Sequence, residues 1–195
     1  MIGNVANEGS LFYNFVNAFQ NFQPDGTSQR YICRYIVRRL LSVLLDSKHK
    51  LDTTVCTQYG NTGVQSSYLL DLYGDLMFNV PTYSALKSHS ENGGSGRTYQ
   101  YILNMNTSVW HESKLSNWVQ TPVHGDDILF LTGQLMDISA PLKNLTTAMM
   151  LYWTNFAKTG NVNSEGLPDW PEYDKTNKSY AVLDKDITIR QNLYK

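Results

Sequence analysis

Apolar residues recur along this chain with two different periods, and the alternation between them predicts the elements. Ile2 to Val5 reads as the last residues of a strand, with "NEGS" as a turn behind it. Between residues 11 and 22, Phe12, Phe15, Val16 and Phe19 fall at helical spacing. Residues 30–47 carry Ile32, Ile36, Leu40 and Leu44 on one stripe, with Arg34, Arg38 and Arg39 off it, an amphipathic helix whose basic face is read as solvated. Residues 61–90 read as helical, interrupted near Gly74 and Pro81, with Pro81 well placed in a first helical turn. "ENGGSG" is a flexible loop, and "RTYQYILNM" after it has β-formers on both alternating sets, the mark of a buried strand. In "APLKNLTTAMMLYWTNFAKTG" Pro141 opens a helix and Leu142, Leu145, Met149, Trp153 and Phe156 form its stripe. Lys158 stands in its last turn and Gly160 ends it. "GLPDWPEYD" is a rigid loop, and "SYAVLD" and "ITIRQ" are short terminal strands. The pattern contains no internal repeat and no linker, and predicts one partial α/β domain over residues 1–195. A strand cut at the first position of the chain is the first sign of an upstream portion.

Composition adds exclusions more than identities. The hydrophobic share is 42% and the charged share 17%, as in globular proteins. Sixteen basic residues against seventeen acidic ones leave a net charge of -1, which argues against a broad electrostatic surface for nucleic acid. No apolar run approaches the roughly 20 residues that a membrane span needs. Residues 1–10 have neither a basic nor an apolar signal-peptide region. The two cysteines, Cys33 and Cys56, are too few for a zinc site and read as free thiols, with a single bridge open to them in a secreted chain. Sequons at Asn106, Asn144 and Asn177 match what chance supplies in a chain this rich in Asn, Ser and Thr.

The four histidines, His49, His89, His111 and His124, make no metal-ligand spacing with one another or with the cysteines. Phosphate-binding and dinucleotide glycine loops are absent. Acyl transfer needs a nucleophile, a base, and a carboxylate that holds the base in the right tautomer. On an open α/β sheet these residues sit on loops at strand ends, in the order serine, acid, histidine. Glu8 lies just past the first strand and His124 in the proline-led loop "TPVHGDDILFLTG". Taken singly, a turn glutamate is more often a cap, and a loop histidine more often a solvated side chain, than a catalytic group.

Taken together with their surroundings, these residues resemble the C-terminal part of the type B carboxylesterase and cholinesterase family. "IGNVANEGSLF" is similar to the family's strand and the loop carrying the triad acid, "YGDLMFNVP" to its G-D-x-x-F-x-x-P segment, and "PVHGDDILFLTG" to the loop holding the triad histidine. "MMLYWTNFAKTGNVN" followed by "LPDWPEYD" resembles the final helix and W-P-x-Y loop. The resemblance implies an α/β-hydrolase fold with an incomplete central sheet and flanking helices, no metal, no organic cofactor, and a small-molecule carboxylic ester as substrate. It implies that Glu8 is the triad acid and His124 the general base, and a secreted or extracellular setting. "HGDD" is closer to general esterases than to cholinesterases, with Asp127 expected as a loop-fixing hydrogen-bond acceptor. The family's G-x-S-x-G nucleophile elbow is absent; "GGSGR" has Arg97 where the second glycine would stand. The 195 residues alone are therefore expected to be inactive. A noncatalytic, neuroligin-like or neurotactin-like adhesion protein and a truncated gene product are the competing expectations.

Overall fold

In the computed structural model, the described residues are 1–14, 65–92, 96–111 and 119–194, with Arg38, Thr57 and Gln58 besides. The expected helix over 30–47 (Arg38 apart), most of that over 11–22, and both Cys33 and Cys56 lie outside them.

Among the described residues four strands make one sheet in the order β1 (Ile2–Val5), β2 (Gln100–Leu103), β3 (Ser179–Leu183), β4 (Thr188–Gln191). The first three run parallel and β4 returns antiparallel, with Gly3 opposite Tyr101, Tyr101 opposite Ala181 and Ala181 opposite Ile189. Alternation then sends Val5, Tyr101, Leu103, Ala181 and Leu183 to one face, where they join the core. The long helix predicted from the Leu-Met-Trp stripe covers this face; it runs Ala140–Thr159 (α5) and buries Leu142, Leu145, Met149 and Tyr152. Trp170, from the rigid loop, fills the space beyond it at 0% exposure, edge-on to Tyr99 and Tyr152.

The opposite face carries a buried polar residue, Asn4. Its amide donates to Asn79 Oδ1 at 2.7 Å and to Tyr194 Oη at 3.0 Å, and its carbonyl accepts from Thr82 Oγ1 at 2.9 Å. Those partners bring in the helical stretch that precedes β2. Helix α1 (Gln65–Gly74) passes into a π-helical segment, Asp75–Asn79, and on into α2 (Val80–Asn92). The interruption expected near Gly74 and Pro81 is thus a widening, not a break. Pro81 has no N–H to donate, and just before it the Val80 N–H reaches back five residues to Asp75 O. Among the described residues two short helices follow β2: α3 (Ser108–His111) and α4 (Asp126–Leu131).

Parallel strands place their carboxyl ends on one side of the sheet, where ligands of open α/β sheets bind. The chain leaves β1 toward Glu8 and β2 toward the His124 loop on that side.

Candidate active site

Beyond Val5 the chain tightens into a 3-10 turn, Glu8–Phe12, where the sequence pattern predicts only a simple turn. No apolar period marks it; packing does. A Cβ on Gly9 would lie 1.7 Å from Leu70 O, so glycine is what lets this turn press against the α1 backbone. Phe12 stacks on Tyr73 of α1 at 4.2 Å between ring centroids and fixes the other end. Between those anchors Glu8 is 8% exposed, and its Oε1 accepts the Val5 N–H at 2.9 Å. The carboxylate is folded back on its own strand, which leaves Oε2 as the oxygen free to meet another group.

His124 comes from the proline-led loop. The Thr121–Pro122 bond is cis. Val123 forms a parallel bridge with Asn7, and Asn7 Nδ2 donates to Pro122 O at 3.2 Å, so this loop is pinned to the chain that leads into Glu8. After the histidine, Gly125 takes φ 87° and leads into α4. That left-handed turn suits glycine and lets the helix begin at Asp126, two residues past His124. The result is a contact between Glu8 Oε2 and His124 Nδ1 of 2.6 Å across 116 positions of sequence. The Phe78 ring from the π-helical segment lies against the imidazole at 4.9 Å between centroids.

A carboxylate facing Nδ1 holds the proton there in the neutral imidazole, and leaves Nε2 with its lone pair. Among the described residues Nε2 meets no hydrogen-bond partner, and the His124 side chain is 36% exposed against 8% for that of Glu8. One end of the pair is locked and the other is open to solvent. Such an arrangement accepts a proton from a hydroxyl that lies within hydrogen-bond reach of Nε2, and shares the resulting charge with the carboxylate.

Asp127 is a hydrogen-bond acceptor, as expected, and Asp126 shares the fixing of the loop with it. Asp127 accepts the Tyr101 hydroxyl at 3.1 Å, and burial together with this carboxylate pushes that phenol far above its ordinary value, so it stays a donor. Asp126 fixes the loop itself. It is 2% exposed and accepts from Val123 N, Thr107 Oγ1 and His111 Nε2. Ser10 accepts the His124 N–H at 2.7 Å. Sequence reasoning did not place Asp126, Ser10, His111 and Phe78 beside the pair. Two of them carried a signal: Asp126, a carboxylate in the first turn after the histidine, and Phe78, the aromatic of the G-D-x-x-F-x-x-P segment.

An open cleft of about 440 Å³ adjoins Glu8, lined in part by Asn7, Ser10, Asp71, Asp75 and Gln120. Of the "GGSGR" stretch, Ser95 lies outside the described residues, and Arg97 pairs with Glu172 at 3.1 Å on the surface. Among the described residues no three His, Cys, Asp or Glu side chains converge as around a metal ion. No helix among them is long and apolar enough to cross a membrane.

The whole of residues 1–195 matches the carboxylesterase family. The chain belongs to that family. Among its relatives, carboxylesterase 1C of Mus musculus is 32% identical over 163 residues, 80% of this chain and 28% of its own length. Liver carboxylesterase of Sus scrofa is 37% identical over 109 residues, 54% of this chain and 19% of its own. The chain thus spans less than a third of the length of these carboxylesterases. Among solved structures, a PNB esterase superposes with a TM-score of 0.69 at 23% identity, over 98% of this chain and 35% of its own. A thermophilic PNB esterase does so with the same score, over 36% of its length. At that identity the likeness carries the fold, that of the α/β hydrolases. The mixed sheet with flanking helices accords with it.

Proposed function

We propose that Glu8 and His124 are the acid and the general base of a Ser-Glu-His triad in a serine carboxylic-ester hydrolase, to which residues 1–195 contribute the C-terminal portion. The observation that carries this reading is the 2.6 Å contact between Glu8 Oε2 and His124 Nδ1, with Glu8 Oε1 tied to Val5 N. Family membership supplies the reaction class, hydrolysis of a carboxylic ester. No G-x-S-x-G stretch occurs in the 195 residues, so the nucleophile is assigned to chain outside them.

In that enzyme His124 Nε2 takes the proton of the serine hydroxyl as its oxygen attacks the ester carbonyl. The proton then passes to the departing alcohol as the C–O bond breaks. A water, deprotonated by the same nitrogen, attacks the acyl carbon, and the proton returns to the serine oxygen as its bond to the acyl group breaks and the acid leaves. Glu8 holds the Nδ1 proton throughout and stabilises the imidazolium that forms twice per cycle. On this reading the 195 residues alone do not turn over esters, since they lack both nucleophile and family-type oxyanion loop. One oxyanion donor by itself is worth roughly 3 to 4 kcal/mol of barrier.

The test is covalent labelling of the full-length protein by an organophosphate, followed by peptide mapping. A label on a serine outside residues 1–195 is the expected result. A folded full-length protein that takes no label overturns the reading in favour of a noncatalytic adhesion protein built on the same fold.

A further inference from the structure

Two consecutive amides of the histidine loop donate to side chains that are not part of the Glu8–His124 pair. Val123 N reaches Asp126 Oδ2 at 2.8 Å, and His124 N reaches Ser10 Oγ at 2.7 Å. The acceptors come from different elements, α4 and the 3-10 turn. Ser10 stands two residues after Glu8, so one short turn meets His124 twice: Glu8 at the ring and Ser10 at the backbone amide. Asp126 is held from the other side. Its Oδ1 takes His111 Nε2 at 2.8 Å, and its Oδ2 takes the Thr107 hydroxyl besides Val123 N. With three donors on a carboxylate that is 2% exposed, Asp126 has one available position.

We propose that Ser10 and Asp126 are positioning residues of the base, a two-point clamp that sets the backbone of His124; this rests on the triad reading above. A histidine has two side-chain dihedrals between its backbone and Nδ1. Once the backbone is set, the 2.6 Å contact with Glu8 leaves the ring one orientation, and Nε2 one direction. Without the clamp the loop slides along the sheet end, the Glu8 contact follows the ring, and Nε2 loses its aim. The clamp therefore acts on the chemical step and leaves ester binding nearly unchanged.

Four variants of the full-length protein, Ser10→Ala, Ser10→Thr, Asp126→Asn and His124→Ala, are compared in aryl-ester hydrolysis, with the downfield proton NMR signal of His124 Nδ1–H as a readout independent of turnover. Removing one such hydrogen bond is expected to lower kcat roughly fivefold with KM within about twofold. Ser10→Ala should also shift or broaden the Nδ1 proton signal, and Ser10→Thr, which keeps the hydroxyl, should restore both. Asp126→Asn cannot accept all three donors and should fall further than Ser10→Ala. If Ser10→Ala lowers only the melting temperature, with kcat, KM and the proton signal unchanged, the clamp is wrong while the triad stands. If His124→Ala retains full turnover, the triad reading fails and the clamp falls with it.

Discussion

Glu8 and His124 touch at 2.6 Å with 116 positions of sequence between them, and the carboxylate is buried while the imidazole is more than a third exposed. That asymmetry is what an orienting carboxylate and a working imidazole need. The acid must not wander, and the base must meet a group that comes from elsewhere. Glu8 achieves the first by spending one oxygen on Val5 N and the other on Nδ1.

Glu8→Gln breaks this arrangement without changing its shape. Both groups facing the carboxylate are donors, Val5 N–H and His124 Nδ1–H, and an amide offers an oxygen to only one of them. Either the strand amide is orphaned or the imidazole is pushed to the wrong tautomer. In the full-length protein kcat should fall on the order of 10³-fold or more, with KM little altered. Steady-state kinetics on an aryl ester reads both constants.

Gly9→Ala should disturb the same pair from behind. The new methyl would sit 1.7 Å from Leu70 O, a backbone atom that cannot turn aside, so the 3-10 turn must lift off α1. A cost of about 1–3 kcal/mol is expected from such overpacking, together with loss of activity as Glu8 moves. Urea unfolding of the full-length variant and its residual turnover check the two effects separately. Wild-type values for both would contradict the packing assigned to this turn.

Trp170→Ala tests the core on the far side of the sheet. The indole is fully buried and edge-on to Tyr99 and Tyr152, and Tyr152 Oη donates to Pro168 O two residues upstream at 2.7 Å. The truncation should cost about 3–5 kcal/mol in denaturant unfolding, through lost burial and the cavity left behind. It should leave the Glu8–His124 contact intact in whatever fraction remains folded.

Alkali offers a prediction with a definite sign. Burial pushes the phenols of Tyr68, Tyr152 and Tyr194 up to about 12, and raises that of Tyr101 further. Unfolded, each ionises near pH ~10. Their preference for the neutral folded form is therefore fully present below pH ~10 and is lost as pH rises from there through about 12. Tyrosinate absorbance at 295 nm should rise late and together with loss of near-ultraviolet circular dichroism. Early, stepwise ionisation of these four with the fold intact would contradict their placement.

Which parts of this were legible in the sequence depends on how far each one looks along the chain. The Leu-Met-Trp stripe of residues 142–156 and the β-formers around Tyr101 are local, and the helix Ala140–Thr159 and strand Gln100–Leu103 lie where that pattern predicts. Pro81 is local too, but the interruption expected there is a π-helical widening, because Val80 N can still find Asp75 O. Glu8 and His124 were visible only through the motifs around them, since neither turn has a period that points at the other. Ser10 and His111 were not visible at all. Their roles depend on a loop that arrives more than ten residues away or more than a hundred, and a serine after Glu-Gly looks the same whether or not an amide comes to meet it.

The measurement that bears most directly on the central claim is ester hydrolysis by the full-length protein against its His124→Ala variant, both shown to be folded. The expected result is turnover of a short-chain aryl ester by the first and a loss on the order of 10³-fold or more in kcat for the second. Equal turnover by the two would contradict the assignment of His124 as the base.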